Sequence, residues 1–597
     1  MPIIIDFFSV RFYGNFPHSL EMQINKMNSE KTKNKRFTFK KFLKYFFLSL
    51  LILIIGFTIY FFQAIKMPPP KISDLSSLKE KRKVLDKNFY GINNNRLRKS
   101  ESGLYELYVE GNPFNRGVYN GKLTAELGKK QEDAFVEEIN KMIPSKRILN
   151  IMKYMTAWFN RNMDEYVPEE YLEEIYGVSE SASKDYLYIG DNYARILNYH
   201  AAHDIGHAVQ NLAKVGCTSF SCNHSKSADG HLIIGRNFDF YVGDKFAEDK
   251  IVTFYKPDKG HKFVEITWGG FIGTVSGMND QGLTVTLNAA KSEIPFSSAD
   301  PISLIAREIL QYASTVNEAF EIAKKRKSFV SEAIMIGSAK DDATAIIEKT
   351  PKDCALFFPK KDVVIGPNHF QSEKFKNTKL NIENIEESSS MYRYKRMNEL
   401  IMRYAKIGYK EAAEILRNKK GLKDRNIGMG NEKNICQLIS HHSIIFKPDE
   451  RKFWISTNPY QLGKYVCYDL DSVFSVFPAM TENHELYIDS LTIPPDSFLF
   501  SKDYKNFTYF KKQKDLFKQA KKNRSIVINN SDIQEFINSN PEYFYTYRLV
   551  GDYYFAKENN EDAKHYYEIA LTKEITTLPE QKAIEKRLKD IELNVKN

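Results

Sequence analysis

The sequence predicts an α+β fold with layered architecture from the order of its strand and helix patterns, in a chain whose length and composition are those of a folded protein. Between residues 100 and 480, short apolar runs typical of strands are interleaved with two amphipathic helices. The chain has 597 residues, enough for several domains, and its 42% hydrophobic and 27% charged residues are ordinary for a folded protein. Its 29 glycines and 21 prolines are too few for a fibrous chain. Wholesale disorder is therefore excluded.

Charge and cysteine content exclude two further classes. The 86 Lys and Arg residues stand against 75 Asp and Glu, a net charge of +11. This excess is small for the length and much of it lies near the N-terminus, so we predict no nucleic-acid partner. We also predict no cofactor and no metal. The cysteines follow neither a disulfide-scaffold nor a zinc-ribbon spacing. Their odd number leaves at least one thiol unpaired; the five are Cys217, Cys222, Cys354, Cys436 and Cys467.

The first element along the chain is a membrane helix at residues 45–65, an uncharged run long enough to cross a bilayer core of about 30 Å. Eight basic residues lie between positions 26 and 44 before it, and Lys66 and three prolines follow it. The basic flank predicts a cytoplasmic tail over residues 1–44 and a single-pass protein whose remainder is periplasmic or extracellular. A cleaved signal peptide is the alternative. Its apolar core is usually about 7–15 residues and ends in small residues, which favours an uncleaved anchor here.

Beyond the anchor, polar residues 66–99 predict a linker, and residues 100–480 predict the mixed domain. A capping-box pattern, Thr315 followed three residues later by Glu318, marks the start of one helix. Residues 481–510 are predicted as a second linker. The clearest strands are residues 231–235, 282–287, 331–336 and 343–348, and the clearest helices are residues 302–312 and 315–325.

The tail, residues 511–597, is predicted to be helical. Its spacing of aromatic and small residues resembles one tetratricopeptide repeat, and a plain helical hairpin is the alternative. Because one repeat cannot bury its own faces, we expect it to pack on the main domain or on flanking helices, and it is a candidate site for a protein partner. The residues that match the repeat are Tyr547, Val550, Gly551, Tyr554, Ala563, Tyr567 and Ala570.

Cys217 is the candidate nucleophile. Residues 215–220 and 229–240 predict two short strands joined by a polar turn, with Cys217 opening the first strand and Arg236 and Asp239 on the strand that returns beside it. A thiol becomes a good nucleophile where cations stabilise its thiolate, as Arg236 would do here. Asp239 could hold an ammonium group if Cys217 were a chain terminus. A buried structural cysteine is the alternative explanation of these residues alone.

A set of motifs in order resembles the cysteine N-terminal-nucleophile hydrolases, which include choloylglycine hydrolases, penicillin V acylases and especially acyl-CoA:6-aminopenicillanic acid acyltransferases. The resemblance covers about residues 100–475 and implies a four-layer αββα sandwich, with residues 100–216 as a precursor segment and 217–480 as the catalytic domain. The motifs are GNPFNRGVYNG at 111–121, GCTS at 216–219, RNFD at 236–239, GMNDQGL at 277–283 running on to Asn288, PNHF at 367–370, Ser390 with Arg393 and Arg396, and Phe453 with Trp454.

The resemblance implies a role for each matching residue. Cys217 would be the nucleophile, exposed when the Gly216–Cys217 bond cleaves itself, and its new α-amino group, with a pKa of about 8, would be the general base. Asp239 would orient that amine, and Arg236 would favour the thiolate. The substrate would be a small molecule with a linear acyl-amide bond, and the protein would contact the membrane through its N-terminal helix.

The same resemblance implies supporting residues. Asn368 would help to form the oxyanion hole, Asn288 would be a second polar contributor, and Arg393 would support the pocket. Hydrolysis and acyl transfer stay open, since both pass through one Cys217 thioester that either water or an amine resolves. Hydrolysis is the default, because water is always present.

Two functions from other classes remain as alternatives. The first is an envelope scaffold, a degenerate hydrolase domain that holds partners through its helical tail. The intact Gly216–Cys217 pair, Asp239 and Asn368 argue against such decay. The second is a metallohydrolase using His203 and His207, which lie one helical turn apart but have neither the glutamate of HExxH nor a third ligand at a recognisable spacing.

Overall fold

The computed structural model describes residues 21–208, 214–291 and 298–596, with side chains for 39–201, 204, 216–291 and 298–593. It forms two compact units, one ending at Lys66 and one beginning at Met67. The first contains helix α1 (Glu21–Ala64). Its segment Phe39–Ala64, with mean hydropathy 2.4, is long and apolar enough to cross a membrane, and it overlaps all but the last residue of the predicted span, residues 45–65.

The second unit contains twenty strands and sixteen helices in the described part of the chain. The strands are β1 (Lys83–Asp86), β2 (Phe89–Ile92), β3 (Asn95–Lys99), β4 (Tyr105–Gly111), β5 (Lys214–Val215), β6 (Thr218–Cys222), β7 (Ile233–Phe238), β8 (Phe240–Tyr241), β9 (Ile251–Pro257), β10 (Phe263–Thr267), β11 (Ser276–Asn279), β12 (Leu283–Ala289), β13 (Glu332–Ser338), β14 (Ala343–Lys349), β15 (Cys354–Phe357), β16 (Val363–Gly366), β17 (His442–Lys447), β18 (Lys452–Ser456), β19 (Tyr465–Asp469) and β20 (Ile488–Ile493). The helices are α2 (Pro113–Leu123), α3 (Ala125–Met142), α4 (Lys146–Phe159), α5 (Glu169–Ser179), α6 (Asn192–Ala208), α7 (Ile302–Tyr312), α8 (Val316–Lys325), α9 (Lys379–Glu387), α10 (Ser390–Met402), α11 (Tyr409–Leu416), α12 (Leu470–Val476), α13 (Lys502–Lys522), α14 (Asn530–Ser539), α15 (Phe544–Ala556), α16 (Asn560–Thr572) and α17 (Leu578–Lys596).

Most of these strands form two large sheets. The first has eleven strands in the order β1-β2-β3-β4-β9-β10-β11-β12-β13-β14-β15, and the second has seven in the order β16-β6-β7-β17-β18-β19-β20. A small third sheet pairs β5 with β8. The predicted strands near 231, 282, 331 and 343 correspond to β7, β12, β13 and β14, and the predicted capping box at Thr315 begins α8.

The two sheets stack face to face between two layers of helices. Neighbouring residues of one strand point into different cores, as the two-residue period of a strand requires. In β17, Ile444 lies in the core between the sheets and Ile445 lies in the core beneath α10 and α11. In β14, Ile346 lies between the sheets and Ile347 lies beneath α7 and α8. The architecture is the predicted αββα sandwich.

The segment before Cys217 is an integral part of this sandwich. Strand β4 pairs in parallel with β9 over seven residues, so the two sides of the predicted cleavage point share one sheet. Helices α2 and α5 cross closely at Gly117, where a Cβ would lie 2.0 Å from the Glu174 carbonyl oxygen. The side chain of Glu174 is fully buried between Arg116 and Arg307, and Arg307 lies on the other side of the cleavage point.

The helical tail also packs on the sandwich. The Met429 N–H donates to Asn540 Oδ1 over 3.0 Å, and Asn540 Nδ2 donates back to the Met429 carbonyl over 2.9 Å. Within the tail, α15 and α16 approach closely at Gly551, where a Cβ would lie 2.8 Å from the Tyr567 ring. A small residue is therefore required at the position that the repeat-like spacing singles out.

Both predicted linkers are wrong in part. Residues 66–99 contain β1, β2 and β3, and residues 481–510 contain β20 and the start of α13. The first was predicted from its polar composition, but Arg98 is buried and lies 2.7 Å from the buried Glu106, so the charge of this β3 residue is paired inside the fold. The tail begins at Lys502 rather than at 511, because α13 runs continuously across that boundary.

Candidate active site

Cys217 lies directly before β6, where the first sheet and the second sheet approach each other. Its side chain is 1% exposed, and Arg236 Nη2 is 3.7 Å from its Sγ atom. Burial raises the pKa of the Cys217 thiol to about 11, and the charge of Arg236 opposes that rise. The arrangement therefore holds a buried thiol with one cation directly beside the sulfur.

Arg236 is held by strand pairing and by three backbone or hydroxyl acceptors. It lies opposite Ser219 in the β6–β7 ladder, which brings it beside Cys217. Its Nη1 donates to the Val275 carbonyl over 3.0 Å and to Ser276 Oγ, and its Nη2 donates to the Leu287 carbonyl. These contacts fix the guanidinium in place and leave Nη2 facing the sulfur.

Asp239 follows β7 immediately and is fully buried. Its Oδ1 accepts a hydrogen bond from Ser440 Oγ, and its Oδ2 accepts one from Gln437 Nε2 over 3.2 Å. Its carbonyl oxygen accepts the Gly216 N–H over 3.0 Å, so the carboxylate is anchored beside the predicted cleavage point. Burial raises the pKa of the Asp239 carboxyl to about 7, against the lowering effect of the Ser440 hydrogen bond.

Arg393 and Asn368 form a second group that reaches the nucleophile through Thr218. Arg393 Nε donates to Thr218 Oγ1 over 3.1 Å, and its Nη2 donates to Asn368 Oδ1. Asn368 Nδ2 donates to the Ala289 carbonyl over 2.8 Å. An amide nitrogen has two hydrogens, and among the described atoms Asn368 Nδ2 donates to this carbonyl alone. Burial lowers the pKa of Arg393.

Asn288 lies one strand away from this group. Its Nδ2 donates to Ser219 Oγ over 2.8 Å and to the Gly366 carbonyl over 2.6 Å, so both amide hydrogens are in use. In this geometry Asn288 supports the pairing of β6 with β16 beside the site. The side chains of His203 and His207 are not among those that the structure describes. Among the described residues, no group of three His, Cys, Asp or Glu side chains could hold a metal ion.

Three site residues have no counterpart in the sequence prediction: Gln437, Ser440 and Ser276. Gln437 contacts Gly216 across 221 positions of the chain, and it lies between α11 and β17 in a stretch without a motif. Only the stacking of the strands brings these residues to Cys217. A single sequence therefore carries no signal for them.

An apolar cavity of about 80 Å³ lies beside the site. Its wall includes Phe240, which pairs with Val215, two residues before Cys217. Phe240 also stacks on Phe238 with ring centres 5.6 Å apart, and the Arg236 guanidinium lies 4.3 Å from the Phe238 ring centre. Both sides of the predicted cleavage point line the cavity; the residues include Gly128, Phe135, Ala182 and Tyr199 before it, and Phe246, Trp268 and Phe271 after it.

Residues 225–459 match the family model described as acyl-coenzyme A:6-aminopenicillanic acid acyl-transferase. The resemblance to that family is confirmed for this segment. It begins after Cys217 and contains the other predicted site residues, which are Arg236, Asp239, Asn288, Asn368 and Arg393.

Other proteins are similar over part of the chain. An uncharacterized protein of Archaeoglobus fulgidus is 26% identical over 351 residues, 53% of this chain and 58% of that protein. The chain spans about half the length of the curated relatives it matches. A Caenorhabditis elegans ortholog of N-acylethanolamine-hydrolyzing acid amidase is 16% identical, with TM-score 0.28, over 39% of this chain and 93% of its own. A conjugated bile acid hydrolase variant from Clostridium perfringens is 13% identical, with TM-score 0.30, over 43% and 92% respectively.

Proposed function

We propose that the protein is a membrane-anchored enzyme that cleaves or forms linear acyl-amide bonds through a Cys217 thioester, after the chain cuts itself between Gly216 and Cys217. The convergence of Cys217, Arg236 and Asp239 in one buried site carries the proposal. A thiol beside a fixed cation is suited to nucleophilic attack, and a carboxylate beside the same residue is suited to hold its freed α-amino group. The match to an acyltransferase family model supports this assignment.

The proposed turnover uses residues already in place. The Cys217 α-amine accepts the thiol proton while Sγ attacks the substrate carbonyl carbon, and the free hydrogen of Asn368 Nδ2 stabilises the oxyanion. The amine product leaves with a proton from the α-ammonium group, and a thioester remains. Water then releases the acid, or an acceptor amine takes the acyl group. Hydrolysis is the default outcome.

The cavity supports an apolar acyl group as the substrate part that is recognised. Its wall is mainly apolar and includes Phe240, the residue after Asp239, together with a smaller number of polar residues such as Gln131 and Glu132. Since residues before Gly216 also line it, the anchored chain would take part in binding after cleavage. Acyl amides with a straight fatty chain, an arylacetyl group or a sterol acid, all on the same small amine, are suitable probes.

The experiment is to supply each amide to purified protein and to trap the acyl-enzyme by rapid acid quenching. We expect one acyl group per cut molecule, attached to the peptide that begins with Cys217. Cys217→Ala is expected to remove both self-cleavage and acylation. Turnover by uncut Cys217→Ala protein would contradict the proposal.

We also propose that the catalytic unit is periplasmic or extracellular, because the basic residues of α1 lie in its N-terminal part, before the uncharged run that starts at residue 45. A reporter fused after residue 100 is expected to be active only when it is exported. Activity of that reporter in the cytoplasm would contradict the orientation.

A further inference from the structure

Gln437 is the side chain that contacts the predicted cleavage point most directly. It is 1% exposed, and its Nε2 donates to the Gly216 carbonyl oxygen over 2.7 Å. The same nitrogen donates to Asp239 Oδ2 over 3.2 Å. One amide therefore joins the carbonyl that must be attacked to the carboxylate that would later hold the freed amine.

The backbone at Gly216 lies so close to the Gln437 amide that a side chain at residue 216 would collide with it. A Cβ at residue 216 would lie 2.6 Å from Gln437 Nε2 and 2.8 Å from its Oε1, closer than side chains normally approach. Only glycine lets the amide reach the carbonyl without displacement. The Gly216 N–H donates to the Asp239 carbonyl over 3.0 Å, so the peptide unit is fixed on both sides.

We propose that Gln437 is the oxyanion donor of self-cleavage, a role distinct from that of Asn368 in turnover. Sγ of Cys217 forms a bond to the Gly216 carbonyl carbon, and the negative charge that develops on the carbonyl oxygen is stabilised by Gln437 Nε2. The thiol proton ends on the Cys217 nitrogen as the C–N bond breaks. Water then hydrolyses the resulting thioester, leaving a Gly216 carboxylate, a free thiol and a free α-amine.

The contacts predict a different part for Gln437 after cleavage. Its bond to the Gly216 carbonyl is no longer needed, while its bond to Asp239 Oδ2 still orients the carboxylate. Loss of the Gln437 amide should therefore slow cutting far more than it slows turnover by molecules already cut. The inference rests on the proposed function, because it requires that the Gly216–Cys217 bond is cut.

The test compares the full-length protein with Gln437→Leu, which keeps the approximate volume and removes both amide hydrogens. Cutting is followed by intact mass after a pulse of synthesis, and turnover is normalised to the cut fraction. We expect cutting to slow by about 10²–10³-fold, the usual effect of losing one oxyanion donor, and turnover per cut molecule to change by less than tenfold. Gln461→Leu is the matched control, since Gln461 is a buried glutamine whose Nε2, among described atoms, donates a hydrogen bond only to the Leu416 carbonyl, over 3.5 Å.

Two outcomes would overturn the inference, and they are distinguishable. Wild-type protein that is active and uncut would overturn both the inference and the proposed function. Wild-type protein that cuts, with Gln437→Leu cutting at the same rate, would overturn the inference alone. If Gln437→Leu does not fold, Gln437→Asn carries the same test, because it keeps a polar amide but places it one methylene short of Gly216.

Discussion

At the residue scale, the site balances the burial of the Cys217 thiol against one fixed positive charge, that of Arg236. Burial works against Cys217 as a nucleophile, since it raises the pKa of the thiol, which stands at about 11 with Arg236 in place. The Arg236 guanidinium, 3.7 Å from the sulfur, is the group that favours the thiolate. In the proposed function, the new α-amine created by cleavage would supply the missing base, so the chemistry would depend on both Arg236 and the cut between Gly216 and Cys217.

Arg236→Met tests the first of these contributions. Removing the cation raises the pKa of the Cys217 thiol, because the thiolate loses its stabilising partner, by about one to three units for a charge at this range. We expect kcat/KM per cut molecule at pH 7 to fall by about 10–10³-fold and the thiol-dependent limb of the pH profile to move to higher pH. Arg396→Lys, a buried arginine paired with Glu399 and Asp424, is the control and should leave the profile unchanged.

The Asp239 carboxyl makes stability depend on pH in the uncut protein. Its pKa is raised from 3.8 to about 7 by burial. The contribution of the protonated carboxyl to the free energy of unfolding is therefore complete below about pH 4 and is lost as the pH rises through about 7. In a Cys217→Ala background, Asp239→Asn should raise the free energy of unfolding at pH 8, by an amount on the order of 4 kcal/mol, and leave it unchanged at pH 4. Thermal unfolding at both pH values measures this, and a gain that is equal at pH 4 and pH 8 would contradict it. Asp471→Asn, at an exposed position, serves as the control.

At the scale of elements, the hydrophobic periodicity of the sequence predicted the strands whose buried residues are apolar. It missed a strand whose buried residue is charged. The strands β12, β13 and β14 were predictable because their apolar residues fill the two cores that the sheet separates. Strand β3 was not, since Arg98 is polar in sequence but is neutralised by Glu106 inside the fold. Cys217, Arg236 and Asp239 were predictable from adjacent motifs, whereas Gln437 enters the site only through the stacking of distant strands.

The elements that line the cavity should set the preferred acyl length. Ala182→Leu fills part of the cavity, so we expect KM to rise for long acyl chains and to stay unchanged for the shortest ones. Phe135→Ala enlarges the cavity, so we expect KM to fall for long acyl chains. Its cost in stability should not exceed about 3–5 kcal/mol, because Phe135 is only partly buried. A series of straight-chain acyl amides measures both variants. Identical chain-length profiles in the two variants would show that the acyl group binds elsewhere.

At the scale of the whole molecule, the fold joins the two chains that cleavage would produce. Strand β4 precedes the cut and pairs with β9, which follows it. Glu174 of the first part lies between Arg116 of the same part and Arg307 of the second, with all three side chains fully buried. The anchored part would therefore retain the catalytic part without a covalent link.

Glu174→Gln tests whether this buried ion-pair cluster holds the two chains together. It leaves two buried guanidinium groups with one fewer carboxylate, and breaking a buried pair usually costs about 3–5 kcal/mol. We expect the cut chains to separate at lower urea concentration, which size-exclusion chromatography in a urea series measures. Glu126→Gln removes the partner of Arg82 at the surface and should cost less than about 1 kcal/mol. If the two variants lowered the urea concentration for chain separation equally, the proposed role of Glu174 in holding the chains together would be contradicted.

Intact-mass measurement of active, purified wild-type protein, with N-terminal sequencing of the smaller and larger species, tests the proposed mechanism most directly. We predict two chains, one ending at Gly216 and one beginning Cys217-Thr218-Ser219, and a single uncut chain for Cys217→Ala. Active protein that consists of one uncut chain would contradict the mechanism, because an internal Cys217 has no free amine to act as its base.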